Sequence, residues 1–235
     1  MGEFGIGQPV RREEDPRLLT GGGDFLDDIN LYGQTWGYVL RSPHASARIV
    51  SIDISAAESA PGVLRVLTGE DWAAEGYGGL PCEDATKKKP DGSPMSHPEW
   101  PALVRNRVRL VGDHVAFVVA ETQMQARDAA ELIEVDYVPL PSVAGLEDAV
   151  SPGAPAVWPD CPDNICFFEE KGDAAAVDEA FATAAHIVSQ KLVNNRVTAV
   201  AMEPRGCIGD YDSRQDRYTL HTGLQNPHPL RFQIA

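Results

Sequence analysis

A chain of 235 residues, 43% hydrophobic and 23% charged, has length enough for one large domain or two modest ones with a true core. Its net charge of −15 argues against nucleic acid and anionic membrane surfaces as partners, since both require a basic footprint. The longest apolar run, residues 115–120, is far too short to span a bilayer, and the opening residues carry no signal-peptide pattern, so the cytoplasm is the expected location.

Residues 1–35 are Gly-rich and charged and read as an extended lead-in. The triple glycine Gly21-Gly22-Gly23 is followed by no Lys-Ser/Thr and sits in no strand–helix context, which speaks against a phosphate loop. Residues 36–42 predict a strand, turned by Pro43-His44, and residues 48–54 a second one. In the second, Val50, Ile52 and Ile54 alternate with Ser51 and Asp53, so one face is expected to be buried and the other wet. A short helix over 56–60 ends at Pro61-Gly62, and residues 63–68 follow as a third strand. His44 has no base or nucleophile at a motif distance and reads as a turn or packing histidine.

Residues 72–101 show no periodicity and predict a long surface excursion, a length uncommon unless it serves binding or assembly. Lys87-Lys88-Lys89 within it reads as a solvated face, with an acidic partner as the alternative. Residues 114–120 predict a buried strand. Thr122 and Gln125 fit a capping box, and Ala126, Ala129, Ala130 and Ile133 form one narrow apolar stripe on the helix that follows. Arg127 and Glu131 are placed to pair along its wet side. A strand over 134–138 is stopped by Pro139 and Pro141.

The density of prolines from 139 to 162 marks a stiff linker, with Trp158 as its anchor. Asp173 is then a plausible N-cap for a second amphipathic helix with Val177, Ala180, Phe181 and Ala184 on one side, followed by a strand over 185–194. The last stretch predicts a hairpin: strands at 207–212 and 217–222 around a turn rich in residues that bond their own backbone. Its outgoing strand reaches Gly223 and Gln225 before Pro227 and Pro229 end the pairing.

The chemistry-bearing residues cluster around this hairpin. Glu203 and Arg205 flank Pro204 and can form a buried ion pair or present a carboxylate to substrate, the ion pair being the preferred reading. His221, His228, Cys207 and Glu203 match no standard zinc spacing. The four cysteines, Cys82, Cys161, Cys166 and Cys207, form no CxxC pair and are expected to be four reduced thiols.

The segments Met202-Glu-Pro-Arg-Gly206, Tyr211-Asp212 and Leu224-Gln-Asn-Pro-His228 resemble the molybdenum hydroxylases. The match is to the molybdopterin-binding large subunit of the xanthine dehydrogenase, aldehyde oxidase and aerobic carbon monoxide dehydrogenase family. Val111-Gly-Asp113, Val118-Val-Ala-Glu121, Ala126-Arg-Asp-Ala-Ala130 and Glu134-Val-Asp-Tyr137 resemble the same family. The resemblance covers nearly the whole chain. It implies an α+β fold: an extended lead-in over 1–30, an a/b hammerhead domain over 31–140, a Pro-rich linker over 141–171, and the incomplete start of a molybdopterin-binding domain over 172–235.

The resemblance further implies that the Gln225 amide donates a hydrogen bond to an oxo ligand of the molybdenum, where a neutral fixed dipole stabilises developing charge without competing as a ligand. Glu203, Arg205 and His228 become possible walls for substrate or cofactor. No residue of this chain is a direct metal ligand, and none matches the family's catalytic base, a late glutamate, or its Gly-rich Phe-Gly segment. The implied cofactors are molybdenum–molybdopterin in its cytosine dinucleotide form, with FAD and a [2Fe-2S] cluster on partner subunits. The implied partners are the remainder of the large subunit, an iron–sulfur small subunit and an FAD medium subunit. The implied activity is oxidation of an aldehyde, an N-heterocycle or carbon monoxide with water as oxygen source, by a chain inactive on its own. A non-catalytic remnant or subunit-interaction module is the alternative.

Overall fold

The computed structural model describes residues 11–80, 82 and 86–234. The expectations that rest on residues 1–10 and on Pro81 fall outside the described residues. The described chain forms two units: residues 34–189, and the two segments that end at Gly33 and begin at Gln190. The lead-in therefore belongs with the C-terminal hairpin, and the helix after the linker belongs with the larger unit.

The strands of the larger unit are β1 (Trp36–Arg41), β2 (Ala47–Asp53), β3 (Val63–Thr68), β4 (Arg107–Val108), β5 (His114–Ala120) and β6 (Glu134–Pro139). They make two antiparallel three-stranded sheets, β1-β5-β3 and β4-β2-β6. The apolar run of β5 makes it the natural centre of the first sheet, because a strand buried on both faces needs no polar alternation. Val115, Ala116, Val118 and Ala120 have no solvent exposure. Ala116, Val118 and Ala120 join the core beneath α4 (Gln123–Glu131), whereas Val115 joins the core of the second sheet with Ala47, Ile49, Val104 and Val108. Ile52 and Val135 touch both cores and weld the two sheets together.

The alanine stripe of α4 forms as expected, with Ala126, Ala129, Ala130 and Ile133 all buried. Small side chains let the helix lie close on its sheet. Its N-cap forms only half of the capping box. Thr122 Oγ1 accepts from the Gln125 backbone N–H at 3.3 Å, but the Gln125 side chain takes the Thr122 hydroxyl as its partner, at 2.8 Å, in place of the backbone N–H. Arg127 and Glu131 pair at 3.8 Å on the wet side. At Gly62, φ is +77°, which the turn into β3 requires and which L side chains adopt only with strain.

The alternation read in β2 fails at one residue. A bulge between Ile49 and Ser51 inserts Val50 into the strand, which reverses the facing of the residues before it. Ala47 and Ile49 are buried while Val50 is 48% exposed, and beyond the bulge Ile52 and Ile54 face the core as expected.

Short helices α1 (Asp15–Leu19), α2 (Ser55–Glu58), α3 (Gly69–Ala74) and α5 (Leu146–Ala149) lie along the connections. The excursion after α3 is tied by isolated bridges between Leu80 and Trp100 and between Lys88 and both Pro94 and Phe168. Lys87 meets Glu169 at 2.7 Å, so the lysine run has an acidic partner within the chain. The linker is anchored at Trp158, whose ring lies 3.7 Å from the Arg109 guanidinium carbon.

Asp173 caps α6 (Ala174–Thr183), its carboxylate accepting from the Ala176 N–H at 3.0 Å. The apolar stripe of α6 is not buried: Val177 and Phe181 are 51% and 57% exposed. The strand expected over 185–194 is also absent. Residues 185–200 have no regular structure, since no neighbouring strand among the described residues supplies the ladder that extended backbone needs.

In the smaller unit, β7 (Cys207–Asp212) and β8 (Arg217–Thr222) form the expected hairpin in continuous register from Cys207↔Thr222 to Asp212↔Arg217. Asp212 Oδ1 accepts from the N–H groups of Arg214 and Gln215, and Asp216 takes a φ of +49° to close the turn. Stacked Tyr211 and Tyr218 rings, 4.5 Å apart, brace the hairpin across its strands. Pro227 and Pro229 do more than end the pairing. They begin α7 (Pro227–Ile234), because the first turn of a helix leaves its N–H groups unpaired and tolerates proline there.

Candidate functional site

Gln225 stands between two fixed elements, three residues beyond the end of β8 and two before the start of α7. Its side chain is exposed and has no hydrogen-bond partner among the described residues. The base of the hairpin below it is pinned by the Thr222 hydroxyl, which donates to the Gly206 carbonyl at 2.9 Å. On the other side, the Leu230 N–H reaches the Asn226 carbonyl at 3.4 Å and closes the first turn of α7. The amide is thus a free donor and acceptor held on a short tether.

Glu203 does not form the expected ion pair. Arg205 is exposed and lies in no salt bridge among the described residues, and Glu203 turns to the lead-in instead. Its Oε1 accepts from the Leu26 N–H at 2.9 Å. The reason is local. Residues 26–28 form a single 3-10 turn whose leading N–H groups lack partners. Asp28 takes the Phe25 N–H at 2.9 Å, and Glu203 takes the next one. A cleft of about 200 Å³ opens between the turn and the Met202-Glu203-Pro204 segment.

Gly206 permits this packing, while Gly223 lies at ordinary contact distance from it. A Cβ on Gly206 would come within 2.6 Å of the Leu26 side chain, and one on Gly223 would meet Glu203 Oε2 at 3.7 Å. Glu203 thereby stands at the hairpin exit that leads to Gln225. His228 is exposed in the first turn of α7. The structure therefore brings Glu203, Gly206, Gly223 and the lead-in turn together, and leaves Arg205 and His228 on the surface. The Leu26 amide was not singled out in the sequence. Its signal was the Phe25-x-x-Asp28 spacing, an acidic residue three positions on, able to reach back to a free N–H.

Among the described residues no group of three or more His, Cys, Asp or Glu side chains is arranged to hold a metal ion. The residues present fit a cofactor held by hydrogen bonds and shape: a neutral, unpartnered amide at Gln225 beside a backbone stiffened by Pro227. All four cysteines are free thiols, with Cys161 buried. No helix of the described residues is long and apolar enough to cross a membrane.

Two antiparallel sheets under an alanine-faced helix, followed by a hairpin that carries a free amide, define an α+β protein. The chain belongs to the aldehyde oxidase and xanthine dehydrogenase family: residues 20–141 match its a/b hammerhead domain, and residues 157–235 match the molybdopterin cofactor-binding domain. It is 38% identical to the nicotine 6-hydroxylase large subunit of Paenarthrobacter nicotinovorans, over 98% of this chain and 27% of that protein. It is 33% identical to the carbon monoxide dehydrogenase large chain of Afipia carboxidovorans, over 98% of this chain and 29% of that protein. Among solved structures, quinoline 2-oxidoreductase from Pseudomonas putida 86 superposes with a TM-score of 0.81 at 34% identity, over 96% of this chain and 28% of that one. The chain spans a little over a quarter of the length of these relatives.

Proposed function

We propose that this chain is the N-terminal portion of the molybdopterin-binding large subunit of a molybdenum-dependent oxidoreductase that hydroxylates or oxidises a carbon centre with water as oxygen source. Of the substrate classes open to it, aldehyde, N-heterocycle or carbon monoxide, the N-heterocycle is favoured. Two of its relatives, at 38% and 34% identity, are named for nicotine and quinoline. The observation that carries the reading is Gln225, an exposed amide without a partner, set between a pinned hairpin and a proline-started helix.

The molybdenum cofactor, in its cytosine dinucleotide form, supplies two-electron redox chemistry when bound. Gln225 donates an amide hydrogen bond toward it, a fixed dipole that gains value as charge develops. Glu203 holds the lead-in turn against the hairpin exit that leads to Gln225. Arg205 and His228, both on the surface here, are the side chains free to wall the cofactor or substrate. This chain holds no counterpart of the general base, so the proton is removed by a group outside it, and the 235 residues alone do not turn over. The partners are the remainder of the large subunit, an iron–sulfur small subunit and an FAD medium subunit, in the cytoplasm.

The test is Gln225→Ala in the large subunit assembled with its partner subunits. With quinoline as substrate, kcat is expected to fall about 10²–10³-fold, the loss typical of one transition-state hydrogen-bond donor, at unchanged molybdenum content. A variant with the wild-type rate refutes the role given to Gln225. A non-catalytic interaction module is a second reading, favoured by the uncovered apolar stripe of α6. A monodisperse 235-residue monomer that binds no pterin supports that second reading, and co-purification with iron–sulfur and flavin subunits opposes it.

A further inference from the structure

Two arginines of the larger unit lack the partners that half-buried guanidinium groups require. Arg107 and Arg109 stand two residues apart at the end of β4, on one side of the fully buried Val108. The Nε of each is buried and without a hydrogen-bond partner. Their other contacts are long and neutral. Arg107 Nη2 donates to Ser46 Oγ and to the Ala156 carbonyl, each at 3.3 Å, and Arg109 Nη1 donates to the Arg107 carbonyl at 3.4 Å.

The carboxylates nearby are committed elsewhere. Asp113, buried, accepts from the backbone N–H groups of Arg109 and Leu110 at 2.6 and 3.2 Å. Glu70 is engaged by Arg105 at 2.7 and 3.2 Å. Neither Arg107 nor Arg109 forms a salt bridge with any described residue, Glu99 across the same pocket included. Burial, and then the positive charge of Arg107, loosens the proton on Arg109, with the Asp113 carboxylate acting in the opposite direction. Two like charges in one half-buried place, in a chain with 35 acidic and 20 basic residues, are unfavourable unless an anion joins them.

A water-sized space of about 10 Å³ beside the two side chains could satisfy an Nε, but a water brings no charge, and the single Asp113 carboxylate nearby offsets one guanidinium and not two. In front of them opens a pocket of about 280 Å³ lined by both arginines, by Asn106, and by the aromatic rings of Trp72, Tyr77 and Trp158. Trp158 also packs over the Arg109 guanidinium at 3.7 Å and fixes its plane. Planar, paired donors beside apolar walls suit a carboxylate carried on an apolar stem.

We propose that this pocket is a receptor for a carboxylate, bound by Arg107 and Arg109 with its stem against the aromatic wall. The carboxylate comes either from a small molecule or from an acidic side chain of a neighbouring polypeptide. The inference does not depend on Gln225 or on the oxidoreductase reading.

The test is a titration of the 235-residue protein, at constant ionic strength, with cyclohexanecarboxylate and with the neutral cyclohexanecarboxamide, read by tryptophan fluorescence. The carboxylate is expected to give a saturable change and the amide none. Arg107→Gln and Arg109→Gln, checked for folding by circular dichroism, are each expected to weaken binding about tenfold or more. A glutamate-bearing tripeptide that binds more tightly than the free carboxylate assigns the site to a polypeptide, and weaker binding assigns it to a small molecule. Equal responses to carboxylate and carboxamide, or no saturation with either, overturn the proposal even where the variants do not fold. Folded variants that bind as well as the wild type overturn it too.

Discussion

Replacing Glu203 with alanine separates the geometry of the site from the ion pair its sequence invites. The Glu203 carboxylate accepts the Leu26 N–H at 2.9 Å in a partly buried contact that spans 177 residues of chain. Truncation leaves that N–H facing a cleft of about 200 Å³ without its acceptor. A hydrogen bond to a charged group contributes about 1.5–3 kcal/mol, and water entering the cleft recovers part of this, so a net loss of about 1–2 kcal/mol is expected. Because the bond holds only the lead-in turn, the loss is local. Amide hydrogen exchange at Leu26 is expected to quicken about 5- to 30-fold, while the amides of β5 keep their protection. Arg205→Ala, at an exposed residue outside any described salt bridge, is expected to change stability by less than about 0.5 kcal/mol. Glu203→Gln retains an acceptor oxygen and is expected to fall between the two. Equal effects of Glu203→Ala and Arg205→Ala on Leu26 exchange would refute the assignment and restore the ion pair.

The two helices with apolar stripes are expected to respond differently to truncation. Val118→Ala, beneath α4 at a residue with no exposure, removes two methyl groups worth about 0.8 kcal/mol each and leaves a cavity, a total of about 2–3 kcal/mol in chemical denaturation. Val177→Ala on α6, 51% exposed, is expected to stay within about 0.5 kcal/mol; a loss as large as that at Val118 would mean that α6 is covered in solution. Asp71 gives a pH prediction. Its carboxyl is held below the ordinary carboxylate range, first by the Thr68 backbone N–H, with the Thr68 hydroxyl and Arg65 acting in the same direction. A lowered folded pKa contributes stability above the ordinary Asp value of about 3.9 that is lost as pH falls through the folded value. Wild type is therefore expected to lose more stability than Asp71→Asn between pH 5 and pH 3, and parallel acid limbs in urea melts would contradict this.

The parts of the fold legible in the sequence are those in which one segment carries its own reason. The buried run of β5, the alanine stripe of α4, the Asp173 cap and the hairpin turn at residues 212–216 are set by neighbours within a few residues, and each forms as read. Two of the misreadings share a different cause. Val50 is turned outward by a bulge that exists only because β6 pairs with β2 on either side of it. Residues 185–194 had strand composition but no strand to pair with among the described residues. Gln125 chose a hydroxyl over a backbone N–H of nearly equal appeal. In the first two cases a partner distant in sequence, or its absence among the described residues, decided the outcome, and periodicity carries no information about such partners; in the third the choice lay between two groups of one nearby residue.

The same distinction governs the site. Gln225 could be singled out because its motif is contiguous, whereas the contact that steadies its surroundings joins Glu203 to Leu26 across the chain. That contact explains why the lead-in belongs with the smaller unit and not with the sheets that follow it directly in sequence. It also gives Glu203 a use that requires neither catalysis nor metal ligation. A carboxylate that accepts from a backbone N–H keeps its negative charge, and Gln225 is the unpartnered neutral amide beyond it. Of the polar side chains at the exit, Glu203 is tied to the lead-in turn and Gln225 has no partner among the described residues.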